Sequence, residues 1–168
     1  MHYVSWDRTD RDAPKLLVED GPEVLGVFRG THADVGGEVW ELTVAPEAGA
    51  SAVRDGVEIV RAADPLKRGE TIRAEVEGRG YTLVSETSSN WIIDNAAGEK
   101  VAQFTRANSG VRKAILEFEG ETDLPATDVV ALAWLSREVM ESRQNVSANA
   151  LIATLVLLSV VAVLVYVL

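Results

Sequence analysis

Cysteine is absent from the 168 residues of this chain, and histidine occurs only twice. The lack of cysteine excludes disulfides, thiolate nucleophiles, iron–sulfur clusters and cysteine zinc sites. His2 stands next to the terminus and His32 in a glycine-flanked loop, and neither has the spacing of a metal ligand or of a catalytic base. We therefore predict no catalytic residue, no metal site and no cofactor.

Cationic side chains are few relative to carboxylates: 16 Lys and Arg stand against 26 Asp and Glu, a formal net charge of −10. By net charge, this balance argues against attraction to nucleic acid or to an anionic membrane surface, because polyanions attract cationic proteins. The sequence also lacks a Gly-x-Ser-x-Gly elbow and a phosphate-binding loop. A hydrolase acting on a lipid-like substrate is the enzymatic alternative.

Charge is absent from the last part of the chain, where no Asp, Glu, Lys or Arg follows Arg143. Residues 148–168 contain 13 Leu, Ile or Val among 21. A helix of that length spans about 31 Å, which matches the hydrocarbon core of a bilayer, and the aliphatic residues contribute about −4 to −8 kcal/mol to insertion. We predict a transmembrane anchor over 148–168. The alternative is a helix buried in a protein core, since a helix apolar on every face suits either environment.

The start of the chain, residues 1–12, is rich in charge and has no apolar run, so it does not resemble a secretory signal. We therefore expect a tail-anchored, single-pass membrane protein whose N-terminal domain is cytoplasmic. Arg137 and Arg143 precede the anchor and no charge follows it, in agreement with the positive-inside tendency.

Short apolar or alternating runs recur between Glu23 and Glu119 and are separated by turn residues. This pattern predicts a mainly β, antiparallel sandwich or barrel. The predicted strands are 24–28, 39–44, 57–60, 71–76, 81–86, 91–94, 101–105 and 114–118, with looser loops over 45–56 and 62–69.

After Glu121 the pattern predicts a helix over residues 127–143, with Thr127 as N-cap and Asp128 near its positive end. The first turns are apolar on nearly every side, whereas the last two turns are charged. Such a helix is suited to end-on insertion into an apolar cavity. The residues expected to fill the barrel core are Val130, Ala131, Trp134 and Leu135.

Several short segments carry a resemblance to a known family: Gly80-Tyr81-Thr82-Leu83, Trp91-Ile92-Ile93-Asp94 with Gly98 and Val101-Ala102 after it, and Ala131-Leu132-Ala133-Trp134-Leu135. Over roughly residues 70–143 the chain resembles bacterial members of the Tubby C-terminal-like superfamily, which includes LURP-one-related proteins and phospholipid scramblases. The resemblance implies a closed β-barrel around a central apolar helix, used for lipid binding and membrane tethering and without an enzymatic site in most members. The phosphoinositide-binding basic residues of animal tubby proteins cannot be placed on this chain, so that activity is not carried over.

The predicted organisation is an N-terminal segment over 1–15, a Tubby-like barrel over 16–144 closed by helix 127–143, and the anchor 148–168. The buried helix of such folds is often C-terminal, so both helices are candidates for filling the barrel. We favour 127–143, because its short apolar tip fits a small barrel and leaves a span that only a bilayer satisfies.

A locally basic stretch lies between positions 61 and 79, where carboxylates also interleave. On a membrane-anchored barrel its cations could meet lipid phosphates, although solvated strand faces explain the pattern as well. The candidate lipid or anion site consists of Arg61, Lys67, Arg68, Arg73 and Arg79.

The sequence thus favours a non-enzymatic, membrane-tethered β-barrel module with a lipid-associated or protein-interaction role. The alternative is a small accessory subunit of a larger membrane protein complex. Its C-terminal helix would then contact a partner membrane protein through small residues, namely Ala148, Ala150, Ala153, Ser159 and Ala162.

Overall fold

A computed structural model describes the backbone of residues 1–87, 89–106 and 114–167. Side chains are described over the same ranges, apart from positions 106, 114 and most of those beyond 143.

Twelve antiparallel strands form a closed barrel in chain order, and β1 closes it by pairing with both β2 and β12. The strands are β1 Tyr3–Asp7, β2 Lys15–Val18, β3 Val24–Arg29, β4 His32–Val35, β5 Glu38–Ala45, β6 Gly49–Arg54, β7 Val57–Ala62, β8 Thr71–Val76, β9 Arg79–Ser85, β10 Asn90–Asn95, β11 Lys100–Arg106 and β12 Ala114–Phe118.

Alternation along the strands produces the barrel interior, because successive side chains of a strand point to opposite faces. In β8, Ile72, Ala74 and Val76 are buried and the residues between them are exposed. The turn from Asn95 to Glu99, with Gly98 at φ +77°, joins β10 to β11 at the predicted position. The mainly β barrel is therefore confirmed.

One helix, α1 Ala126–Val167, passes through this barrel. All side chains from Val129 to Ser136 are at most 2% exposed, so the helix is surrounded on every side. Val130, Ala131, Trp134 and Leu135 belong to this segment and to the single buried cluster formed with the strands. The structure therefore places the first of the two candidate helical segments inside the barrel.

The helix begins one residue earlier than predicted. The backbone N–H groups of Asp128 and Val129 donate to the carbonyl oxygen of Pro125 at 2.9 and 3.1 Å. Thr127 consequently lies inside the first turn and is not the N-cap, while Asp128 does lie in that first turn as expected.

Two further boundaries differ from the sequence analysis. The segment 1–15 is not separate from the barrel, because it contains β1 and the first residue of β2. The predicted loop 45–56 contains β6, whose small residues form a strand without an obvious apolar pattern. The short strands β2 and β4, with four residues each, were also absent from the prediction.

Helix α1 does not end near Arg143 but continues to Val167, so residues 148–167 extend the helix that fills the barrel. Most side chains of the predicted anchor over 148–168 lie outside the described ones. Among them are the small residues Ala148, Ala150, Ala153 and Ala162. Within the part of the chain that the structure describes, no helix is both long and apolar enough to cross a membrane.

The direction of α1 defines two ends of the barrel. At the entry end, α1 begins beside the turns that follow β2, β4, β6, β8 and β10. At the exit end, Arg143 of α1 reaches the loop between β7 and β8. A six-residue strand separates the two ends by about 20 Å.

Candidate functional site

A buried carboxylate marks the entry end. The Asp128 side chain is fully buried in the first turn of α1, and the Arg79 guanidinium donates to both of its oxygens, Nε to Oδ2 at 2.7 Å and Nη2 to Oδ1 at 2.5 Å. The hydroxyl of Tyr81 donates to the same Oδ2. Bidentate, charge-assisted pairing of this kind fixes geometry as well as charge, so the group holds the start of α1 against β9.

The protonation of this group follows from its surroundings. Burial, and then the bond to Asp128, raise the pKa of the Tyr81 hydroxyl, so it stays a donor. The bonds to Asp128 and Glu77 raise the pKa of Arg79 above its already high ordinary value. Arg79 is therefore a permanent cation, Tyr81 a neutral donor and Asp128 the acceptor of both. Such an arrangement holds structure and does not transfer a proton.

The entry-end network extends from Arg79 across the neighbouring turns. Glu77 accepts from Arg79 at 3.0 Å and from Arg54 at 2.7 Å. Arg54 also donates to Glu38 at 3.0 Å. The turns before β5, β7 and β9 are thereby joined to α1 through alternating charges. A groove of about 560 Å³ beside Arg54 and Glu77 is lined by Asp55, Glu58 and the exposed Val57.

At the exit end, arginines hold α1 against buried tryptophans. The guanidinium of Arg143 stacks on Trp91 at 4.4 Å, and its Nε donates to the carbonyl of Leu66 at 3.3 Å. A further nitrogen of Arg143 donates to the carbonyl of Gly69. Burial lowers the pKa of Arg143, although an arginine stays charged at neutral pH.

Trp6 has the same arrangement on another side of the exit end. Arg137 lies over its ring at 5.0 Å and donates to Glu141 at 2.9 Å. Glu141 also accepts from Arg8 at 3.1 Å. Cation–π contacts of this type combine attraction with coverage of an aromatic face. We refer to Arg8, Arg137, Glu141 and Arg143 as the exit collar.

Glu138 lies between the arginines of the exit collar and is largely buried. Burial raises the pKa of its carboxyl, and Arg137 and a hydrogen bond from Trp134 partly offset that effect. No pattern in the sequence distinguishes Glu138 from the other charged residues of these turns.

The predicted basic stretch is not brought together into one site. Arg79 lies at the entry end, whereas Lys67 and Arg68 lie in the loop before β8 at the exit end. Four of the five cations are held by carboxylates. Besides Arg79 with Asp128, the distances are 3.2 Å for Arg61 and Glu58, 2.9 Å for Lys67 and Glu47, and 2.8 Å for Arg73 and Asp64.

Asp64 responds strongly to its partner, since the side-chain bonds and then the backbone N–H of Arg73 lower the pKa of its carboxyl to about 2. Arg68 is exposed and makes no salt bridge with any described residue. Binding of lipid or anions by this stretch stays a prediction.

His32 is exposed on β4. Among the described residues, no group of three or more His, Asp or Glu side chains could hold a metal ion. The indole N–H groups of Trp6, Trp40 and Trp91 are buried and have no hydrogen-bond partner within the described part of the chain.

No protein-family model, curated protein or solved structure matches this chain.

Proposed function

We propose that this chain is a non-enzymatic β-barrel module, tethered to a membrane by the continuation of its own core helix. The observation that carries the proposal is the continuity of α1, which leaves the barrel and runs on to Val167. Beyond the barrel, the described large side chains of α1 are 55–61% exposed, namely those of Leu155, Leu158, Val163 and Leu164. Such surface is unfavourable in water and favourable in lipid.

The composition of the same segment supports this reading. No charged residue follows Arg143, and 13 of the 21 residues over 148–168 are Leu, Ile or Val. Ser159 satisfies its hydroxyl within the helix by donating to the carbonyl of Leu155 at 2.7 Å, which lowers the cost of a hydroxyl in an apolar environment.

The barrel itself supports a structural or interaction role. Strand and helix side chains form one buried cluster in its interior. The cations of the entry end, Arg54, Arg79 and Lys100, are all bound to carboxylates. A closed barrel around an apolar helix is also what the Tubby-like resemblance implies, and membership of that superfamily stays a prediction.

Membrane fractionation tests the proposal. We expect the full chain to sediment with membranes and to resist extraction at alkaline pH. We expect Leu155→Asp combined with Leu158→Asp to release it, because a charge at the centre of a membrane helix costs about 2.5–3.5 kcal/mol each. The matched variant, Leu155→Ala with Leu158→Ala, should remain in the membrane fraction. A full chain found in the soluble fraction would contradict the proposal.

Sidedness belongs to the same proposal, with residues 1–145 facing the cytoplasm. Arg137 and Arg143 precede the apolar segment, which favours this orientation. An epitope at Met1 should then survive protease added outside intact cells, while cytoplasmic controls survive too. Loss of the epitope alone would reverse the topology. Co-purification of a second membrane protein in fixed ratio would instead favour the accessory-subunit function.

A further inference from the structure

Folding separates the charges of this chain between the two ends of the barrel. Thirteen carboxylates and three cationic side chains lie in the segments of the entry end, which are 19–23, 36–38, 54–58, 77–79, 94–100 and 119–128. Seven carboxylates and eight cationic side chains lie in the segments of the exit end, which are 7–15, 29–32, 46–48, 61–73 and 85–90. Among these described segments, the excess of negative charge therefore lies at the entry end, and those of the exit end are together close to neutral.

Salt bridges increase this difference in charge between the two ends. Arg54, Arg79 and Lys100 at the entry end all form salt bridges. At the exit end four exposed cations form no salt bridge with any residue that the structure describes. These four, which we call the exit-end cations, are Arg11, Lys15, Arg29 and Arg68.

The exit end is also the end that α1 leaves. The bond from Arg143 to the carbonyl of Leu66 fixes the height of the helix at this rim. Position 148 is the fifth residue after Arg143, so the apolar segment starts about 8 Å beyond the rim along a continuous helix. The headgroup layer of one leaflet is about 5–8 Å thick. A chain inserted through 148–168 therefore carries its exit end at the level of the headgroups.

We propose that the exit end of the barrel docks on the surface of an anionic bilayer, with the exit-end cations against lipid phosphates and carboxylates and the acidic entry end turned away. This inference rests on the proposed membrane attachment and names the lipid class and the face that meets it. Each cation near an anionic surface contributes favourably, whereas the opposite orientation would bring the excess carboxylates against the same charge. The contact is electrostatic, so it requires negative lipid and not a particular headgroup.

A distance measurement on the full chain in bilayers tests the docking. The chain has no cysteine, so Thr31→Cys at the exit end and Ala97→Cys at the entry end each give a single labelling position, and both residues are exposed. Each position is labelled with a fluorophore, and a quencher is attached to a small fraction of lipid headgroups. Vesicles contain phosphatidylcholine alone, or phosphatidylcholine with phosphatidylserine or phosphatidylglycerol.

We expect quenching at position 31 to rise with the fraction of either anionic lipid and to return to the phosphatidylcholine level at about 0.5 M salt, where the screening length falls to about 4 Å. Position 97 should respond to neither change. The triple variant Arg11→Gln, Arg29→Gln, Arg68→Gln should lose the dependence on anionic lipid. The control triple Glu23→Gln, Glu99→Gln, Asp123→Asn alters three entry-end charges and should keep it.

Two kinds of failure are distinguishable here. If the full chain does not float with phosphatidylcholine vesicles, membrane attachment is wrong and the docking falls with it. If the chain floats but quenching at position 31 is independent of lipid charge, or is unchanged in the arginine triple variant, only the docking is overturned. A response to phosphatidylserine but not to phosphatidylglycerol would also overturn it, because it would show a headgroup-specific site.

Discussion

Among the described glycines, Gly49 has the least room for a side chain. It lies at the start of β6 with φ +129°, and a Cβ atom there would lie 1.9 Å from the carbonyl oxygen of Ala62 on β7. We expect Gly49→Ala to lower the free energy of unfolding by about 3 kcal/mol or more, because backbone must move to relieve the overlap. Gly98→Ala is the matched control: Gly98 also has positive φ but no atom within 4 Å, so about 1–2 kcal/mol is expected. Equal losses in urea unfolding would contradict this account.

Glu138 is the residue at which stability should depend on pH. Its folded-state pKa is raised above 4.5 by burial, so the folded protein binds this proton more tightly than the unfolded chain. Ionised Glu138 therefore destabilises the fold at neutral pH, and the penalty disappears as pH falls through the folded pKa to below 4.5. Glu138→Gln should raise the melting temperature at pH 7 and leave it unchanged at pH 4, while its amide oxygen still accepts from Trp134.

The exposed strand residue Glu117 provides a comparison for this measurement. Glu117→Gln should change the melting temperature little at either pH, since surface substitutions have small effects. A gain from Glu138→Gln that is equal at both pH values would mean that burial of the charge is not its cause.

The contact between α1 and β9 depends on the salt bridge between Arg79 and Asp128. Arg79→Met would leave the fully buried Asp128 carboxylate with the Tyr81 hydroxyl as its remaining described partner. Leaving a buried charge without its counter-ion costs about 3–5 kcal/mol, more than the pair itself contributes. The double variant Arg79→Met, Asp128→Asn should therefore be more stable than Arg79→Met alone. A double-mutant cycle in urea measures this coupling, and a double variant no more stable than the single one would contradict it.

At the level of elements, the sequence predicted eight of the strands and missed β1, β2, β4 and β6. β8 has three buried apolar residues that alternate with exposed ones, and its predicted bounds are the observed bounds. In β1 the polar Ser5 is buried together with Val4 and Trp6, so burial there does not follow the alternation of side-chain type. Ser5 is accommodated because its hydroxyl donates to the carbonyl of Glu19 at 2.6 Å, a partner supplied only by the folded turn.

The candidate sites were harder to predict than the elements. Arg79 and Asp128 are 49 positions apart, and only the closure of the barrel around α1 brings them together. The sequence grouped Arg79 with Arg68 by proximity along the chain, yet β8 separates them by its whole length. Proximity along the chain thus grouped with the exposed basic stretch an arginine that the fold pairs with a buried carboxylate at the other end of the barrel.

The whole molecule shows a property that no local segment shows. The net charge of −10 argued, at the level of the sequence, only against polyanionic partners. Because the strands are antiparallel and follow one another in chain order, successive connections lie at opposite ends of the barrel. Carboxylates that occur in every second connection are therefore collected at one end. An overall acidic protein can therefore present a nearly neutral face whose exposed cations form no salt bridge with the residues that the structure describes.

Closure of the barrel depends on the first strand, because β1 is the element between β2 and β12. Removing residues 1–14 would uncover two strand edges and delete Val4 and Trp6, both of which are buried. We expect the shortened chain in mild detergent to lose its cooperative melt and to aggregate, since uncovered edges pair with other chains. Replacing residues 8–13 by a Gly-Ser sequence of equal length keeps β1 and should leave the transition cooperative, at the cost of the exposed Arg8–Glu141 salt bridge. If the chain without residues 1–14 instead remains monomeric, with β-sheet circular dichroism and a cooperative transition, the barrel does not require β1 for closure.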